Sequence, residues 1–98
     1  MEIAKKKNAD NLEIALTGRL DTITAPQLEK ELAASLTGVK ELVMDFAKLE
    51  YISSAGLRVL LTAQKQMNAQ GTMKVCNVNA GVMEVFEITG FVDVLTIV

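Results

Sequence analysis

Ser53 and Ser54 are the side chains of this sequence whose setting most favours chemistry. They stand between an apolar run that ends at Ile52 and a segment at helical spacing that begins near Ala55, in the stretch LEYISSAGLRVLL. A serine at a strand-to-helix junction can cap the helix, attack a substrate, or accept a group from another enzyme. The rest of the chain has to discriminate among these roles.

Helix capping needs only the local sequence. The first N–H groups of a helix have no partner within it, and a serine oxygen at the helix start accepts a hydrogen bond from one of them. Ser53 and Ser54 both fit this role. Gly56 agrees with a helix that starts here, because a residue without a side chain allows close backbone approach in a tight strand-to-helix junction.

Nucleophilic catalysis by either serine is disfavoured. The chain has no histidine, which removes the usual general base and the commonest metal ligand. A nucleophile elbow needs Gly-x-Ser-x-Gly, but Ile52 stands two residues before Ser54, and neither serine has the Ser-x-x-Lys spacing of a lysine base. The Gly-Lys-Ser/Thr of a nucleotide-binding loop is also missing. We expect no enzymatic activity, no cofactor and no metal site.

Modification by another enzyme is the third use of the hydroxyl. Phosphorylation adds a charge of about −1.5 to −2, and the positive end of a helix dipole favours an anion there by about 0.3–1 kcal/mol. On a surface that binds a partner, the same charge would be desolvated when the partner covers it, and acidic groups of the partner would repel it. It would therefore change which protein binds rather than whether the domain folds.

The composition indicates a single-domain protein that binds neither nucleic acid nor a membrane. The chain has 98 residues, half of them apolar, which predicts one domain over residues 1–98. The net charge is −2, aromatic residues make up 4%, and Lys5-Lys6-Lys7 is the one basic block, which we interpret as a solvated strand end; nucleic-acid binding is not expected. No apolar run approaches the roughly 20 residues that span a bilayer, and no signal peptide is evident. We expect no membrane association and a cytoplasmic location, with Cys76 as a small buried hydrophobe.

Periodicity predicts an α/β fold of order β-β-α-β-α-β-α-β. Strands are predicted at 3–7, 12–17, 42–44, 73–78 and 92–97, the third covered on both faces because it is an unbroken apolar run. Helices are predicted from Thr24, which forms a capping box with Gln27, from Ala55 to Ala69, and from Asn79 to Gly90. This alternation indicates a single-layer mixed sheet of about five strands covered by three or four helices.

The junction also resembles a known family. DFAKLEYISSAGLRVL at residues 45–60 is similar to the signature of STAS domains, specifically the stand-alone bacterial anti-sigma factor antagonists. GRLD at residues 18–21 resembles the Gly-x-Leu-Asp after the second strand of that family, and FEITGF at 86–91 its closing segment. The likeness covers nearly the whole chain and implies the STAS fold.

The resemblance implies a switch of partners controlled by phosphorylation. In that family the unphosphorylated antagonist binds an anti-sigma factor that is also a serine kinase of the histidine-kinase-like ATPase fold, and a sigma factor is released. The kinase phosphorylates one serine, which ends binding, and a PP2C-type phosphatase restores it. By position Ser54 is the phosphate acceptor, with Ser53 the alternative, and Asp21 lies in the kinase contact surface.

Further residues are expected to contact the partner. They are Ser53, Ala55, Gly56 and Arg58. Ser53 departs from the family, whose best-known members carry an acid at that position. Arg58 could meet a partner carboxylate, the phosphate, or solvent alone. A monomer is expected, and two other functions stay open: a regulatory STAS module that is never phosphorylated, and a domain that binds a nucleotide or another small ligand.

Overall fold

The computed structural model describes all 98 residues. It contains four strands, three α-helices and a short 3₁₀ helix in the order β-β-α-β-α-β-α. These elements are β1 (Glu2–Asn8), β2 (Asn11–Leu20), α1 (Ala25–Ser35), β3 (Glu41–Ile52), α2 (Ser54–Gln70), β4 (Thr72–Cys76), α3 (Ala80–Thr89) and the 3₁₀ helix Phe91–Asp93. No helix is both long enough and apolar enough to cross a membrane.

The strands form one mixed sheet in the order β1-β2-β3-β4. The hairpin of β1 and β2 is antiparallel, whereas β2 and β3, and β3 and β4, pair in parallel. Parallel neighbours need a crossover connection, and α1 and α2 supply the two crossovers. The α/β class and the mixed sheet predicted from the sequence are thus confirmed.

Only one face of the sheet is covered by helices. Alternate residues of β2 and β3 are buried, among them Ile14 and Met44, and they join a core of 24 apolar residues. The residues between them, such as Glu13, Val43 and Asp45, are exposed or half-buried. The prediction that the strand at Leu42–Met44 is covered on both faces is therefore wrong, because Val43 lies on the uncovered face.

The last predicted strand is also replaced by other structure. Gly90 adopts a left-handed backbone conformation (φ 79°), which ends α3, and the chain then forms the 3₁₀ helix. Extended pairing returns only at an isolated parallel bridge between Ile97 and Val75. The sheet has four strands rather than about five, and the C-terminal segment covers part of the outer edge of β4.

The opposite edge of the sheet is β1, and its lysines are exposed. Lys5 Nζ lies 2.6 Å from Glu31 Oε1 in α1, while Lys6 and Lys7 form no ion pair. This arrangement agrees with the interpretation of the triplet as a solvated strand end. A lysine-rich outer strand is one of the ways in which proteins protect an unpaired edge.

Cys76 lies at the end of β4 and is half-buried, not fully buried as predicted. Partial burial raises the pKa of its thiol, and the nearby carboxylates of Asp45 and Glu13 act in the same direction. The thiol therefore stays protonated and unreactive at neutral pH.

Candidate functional site

The two serines have different environments. Ser53 is the N-cap of α2, with an extended backbone (φ −102°, ψ 175°), and its Oγ accepts a hydrogen bond from the N–H of Gly56 at 3.4 Å. Its own N–H donates to the carbonyl of Leu20 at 2.9 Å, which joins the start of α2 to the end of β2. Ser53 is half-buried and holds the junction together.

Ser54 is the first residue of α2 and is exposed to solvent. Because Ser53 provides the cap, the Ser54 hydroxyl is left without a hydrogen bond to any protein group. The structure thus assigns capping to the first serine and leaves the second, predicted to accept phosphate, free for chemistry by another protein.

Because only Ser53 caps α2, replacing each serine by alanine should change the free energy of unfolding by different amounts. We expect Ser53→Ala to lower the free energy of unfolding by about 0.5–2 kcal/mol, as for other N-cap serines. Ser54→Ala removes no hydrogen bond, so the change should stay within about 0.5 kcal/mol. Urea unfolding of the two variants measures the difference, and equal losses would show that the hydroxyls share the cap.

Gly56 lies inside the junction rather than on its surface. A Cβ atom at this position would lie 2.7 Å from Leu20 Cγ and 2.9 Å from Ile52 Cγ1, closer than packed atoms allow. The residue is buried and has no side chain, and its contact with a partner stays a prediction. The sequence grouped Gly56 with the partner-binding residues; the structure gives it a packing role that sets how closely α2 approaches β2 and β3.

Asp21 organises the loop between β2 and α1. Its carboxylate accepts hydrogen bonds from the N–H groups of Ile23 and Thr24, both at 3.0 Å. The bond from Thr24, with that from Ile23 and the nearby Arg19 guanidinium, holds the pKa of Asp21 below its usual range, against the opposing effect of desolvation. The carboxylate stays ionised at neutral pH, half-buried beside the junction that carries Ser54.

The predicted capping box at Thr24 is wrong. Thr24 has a helical backbone conformation and makes no side-chain cap; its hydroxyl donates to the carbonyl of Arg19 at 2.7 Å and accepts from the N–H of Asp21 at 2.8 Å. Gln27 donates instead to the carbonyl of Met1. The threonine therefore closes the loop around Asp21 through hydrogen bonds to its backbone and side chain.

Sequence reasoning missed two features of this surface. Ile23 is 86% exposed at the tip of the Asp21 loop. Arg19 stacks on the exposed ring of Tyr51, with Cζ 4.2 Å from the ring centroid, and its Nε lies 3.8 Å from Asp21 Oδ2. An isoleucine between two threonines in a polar loop could have indicated the exposed Ile23. The stacking of Arg19 on Tyr51 joins two strands that are separate in sequence, so no local pattern predicts it.

A shallow cleft separates the start of α1 from the start of α2. It is lined by Thr22, Ala25, Pro26, Glu29, Ala55, Arg58 and Val59. Ala55 is half-buried against the core, and Arg58 is exposed one helical turn after Ser54. The structure thus brings Ser54, Ala55 and Arg58 together on the first turns of α2, with the Asp21 loop across the cleft.

Comparison with known proteins identifies the family. The sequence matches the STAS domain family over residues 2–98. It is 40% identical to BtrV of Bordetella bronchiseptica, a proposed anti-sigma factor antagonist, across 99% of this chain and 85% of that protein. It is 27% identical to the anti-sigma-B factor antagonist of Bacillus subtilis, across 94% of this chain and 85% of that protein.

A solved structure shares the fold. The Bacillus cell-fate determinant SpoIIAA in its phosphorylated form superposes with a TM-score of 0.77 at 18% sequence identity, covering 99% of this chain and 91% of that one. The chain belongs to the STAS domain family, as the resemblance of its junction predicted. STAS anti-sigma factor antagonists are regulatory proteins rather than enzymes, in agreement with the predicted lack of catalysis.

Proposed function

We propose that this protein is a cytoplasmic anti-sigma factor antagonist whose binding is switched by phosphorylation of Ser54. The unphosphorylated form binds an anti-sigma factor that is also a serine kinase, and the sigma factor is released. Phosphorylation of Ser54 ends this binding, and a PP2C-type phosphatase reverses it. The names of the relatives support the antagonist role, and the position of Ser54 in the family signature supports the switch.

The observation that carries the proposal is the exposed, unbonded Ser54 hydroxyl beside a capped helix start. A kinase can reach it without opening the fold, since Ser53 retains the cap when Ser54 is modified. The Asp21 loop with its exposed Ile23 lies across the cleft and offers the partner an apolar contact.

The energy that the switch requires is available at this position. A hundredfold loss of affinity corresponds to about 2.7 kcal/mol. Desolvating a phosphate dianion in a close interface costs several kcal/mol unless the partner neutralises it. The fold itself tolerates the charge, because the positive end of the α2 dipole favours an anion at its first residue.

Phosphorylation with the cognate kinase tests the proposal. We expect incubation with kinase, Mg²⁺ and ATP to add one phosphoryl group, which mass spectrometry maps to Ser54. Ser54→Ala should abolish the reaction, whereas Ser53→Ala should keep it.

Three results would contradict the proposal. Phosphorylation that persists in Ser54→Ala would show that another residue accepts the phosphate, with Ser53 the next candidate. A kinase that binds the protein but never modifies it would favour a STAS module regulated without phosphorylation. Tight binding of a nucleotide by the isolated protein in calorimetry would favour a ligand-binding domain.

A further inference from the structure

Arg58 is an exposed cation without a carboxylate partner. The two ion pairs of the structure are Lys5–Glu31 and Arg19–Asp21, so Arg58 takes part in neither. Glu29 lines the same cleft, but no oxygen of it comes within ion-pair distance of Arg58. An unpaired guanidinium beside a free hydroxyl is an unused binding group.

The spacing of Arg58 relative to Ser54 suits a bond between them once Ser54 is charged. The two residues are four apart on α2. Such residues lie about 5–6 Å apart at Cβ on one face of a helix, and pairs with the anion on the N-terminal side are the favourable ones. Guanidinium groups bind phosphate through parallel N–H donors, which a lysine cannot do.

We propose that Arg58 is the internal counter-ion of phosphoserine 54, an inference that rests on the proposed modification of Ser54. In the unmodified protein Arg58 points its charge toward solvent at the partner-facing surface. After phosphorylation it pairs with the phosphate oxygens. The modification thus adds negative charge and also withdraws a cation that the partner could otherwise contact.

No other charged group competes strongly for the phosphate. The first turn of α2 carries no acidic residue. Arg19, the cation near the end of β2, is already held by Tyr51 and Asp21. Glu29 is the one carboxylate that shares the cleft with Arg58, and a phosphate dianion carries more charge than this single carboxylate.

Titration of the phosphate by ³¹P NMR tests the pairing. Phosphoserine is incorporated at position 54 by genetic code expansion, so the test does not need the kinase. A cation beside the phosphate favours the dianion, so Arg58→Gln should raise the titration midpoint by about 0.3 pH unit, a twofold change in proton affinity. Arg58→Lys should recover part of the difference.

Lys65→Gln is the matched control. It removes the same charge from the same helix, about 16 Å further along the axis from Ser54, and should leave the midpoint unchanged. Equal midpoints for the parent and Arg58→Gln would overturn the proposal, as would equal shifts in the Arg58 and Lys65 variants. Because the phosphoserine is incorporated during translation, a kinase that ignores Ser54 would refute the proposed function but leave this measurement valid.

Discussion

Ser54→Asp is expected to weaken binding to the anti-sigma factor kinase by about tenfold to 100-fold, or about 1.4 to 2.7 kcal/mol. The carboxylate places a negative charge where the interface would close over the hydroxyl, and the partner must then desolvate it. Aspartate carries less charge than phosphoserine, so the loss should be smaller than for the phosphorylated protein. Calorimetric titration of the kinase with each variant measures the effect.

Ser54→Asn is the control that separates charge from size. Asparagine matches aspartate in shape but is neutral, so most of the affinity should remain. The free energy of unfolding of Ser54→Asp should change by less than about 1 kcal/mol, with a small gain favoured by the helix dipole. Equal losses of affinity for Asn and Asp would mean that bulk rather than charge breaks the complex, and unfolding of Ser54→Asp would indicate a structural role for the hydroxyl.

Gly56→Ala should lower the free energy of unfolding by about 1–3 kcal/mol, the usual cost of overpacking a core. Its methyl group would lie within 3 Å of Leu20 and Ile52, both of which are buried, so these neighbours must shift. Relief requires α2 to shift away from the sheet, which also displaces Ser54. Urea unfolding measures the first effect, and the rate of phosphorylation reports the second.

Gly81→Ala provides a matched helical glycine. A Cβ there would have its nearest neighbour at 3.5 Å, an ordinary contact, and Gly81 lies in the first turn of α3. This change should be neutral or should stabilise the protein by up to about 1 kcal/mol, since alanine favours helix. If both glycine variants unfold at the same urea concentration, close packing at Gly56 does not limit stability.

The parts of the fold that depend on local sequence were predictable. Asn79 caps α3 as expected, its Oδ1 accepting from the N–H of Val82 at 2.8 Å. Its Nδ2 also donates to the carbonyl of Leu49 in β3, a contact between elements 30 residues apart that no local pattern reveals. Short-range bonds follow from residue type and spacing, whereas long-range bonds depend on how the elements pack.

The failed predictions have a different origin, because the competing interactions are themselves local. At Thr24 the Thr-x-x-Gln pattern was correct as a pattern, but Asp21 and Arg19 offered the threonine hydroxyl other partners. Near the C-terminus, Val92 and Val94 favour a strand, yet the turn at Gly90 sends the chain into a 3₁₀ helix first. In both places another local interaction, three to five residues away at Thr24 and directly before the segment at Gly90, overrode the predicted pattern.

Assignment of the two serines shows the limit for the site itself. Ser53 and Ser54 are chemically identical neighbours, and the sequence alone allowed either to cap the helix. The extended backbone of Ser53 decides the matter, because an N-cap residue needs it and the first residue inside a helix does not have it. The serine residue type predicted a hydroxyl that caps the helix or accepts phosphate, and the backbone dihedral angles show that Ser53 is the one that caps.

The lysine-bearing outer strand, β1, affects how many copies of this protein behave together in a crowded cell. Two such strands from neighbouring molecules would have to lie about 4.8 Å apart to share backbone hydrogen bonds. That approach would bring ammonium groups into register with one another, and like charges facing each other across a strand pair are repelled. Pairing of two molecules through their β1 strands is thereby discouraged.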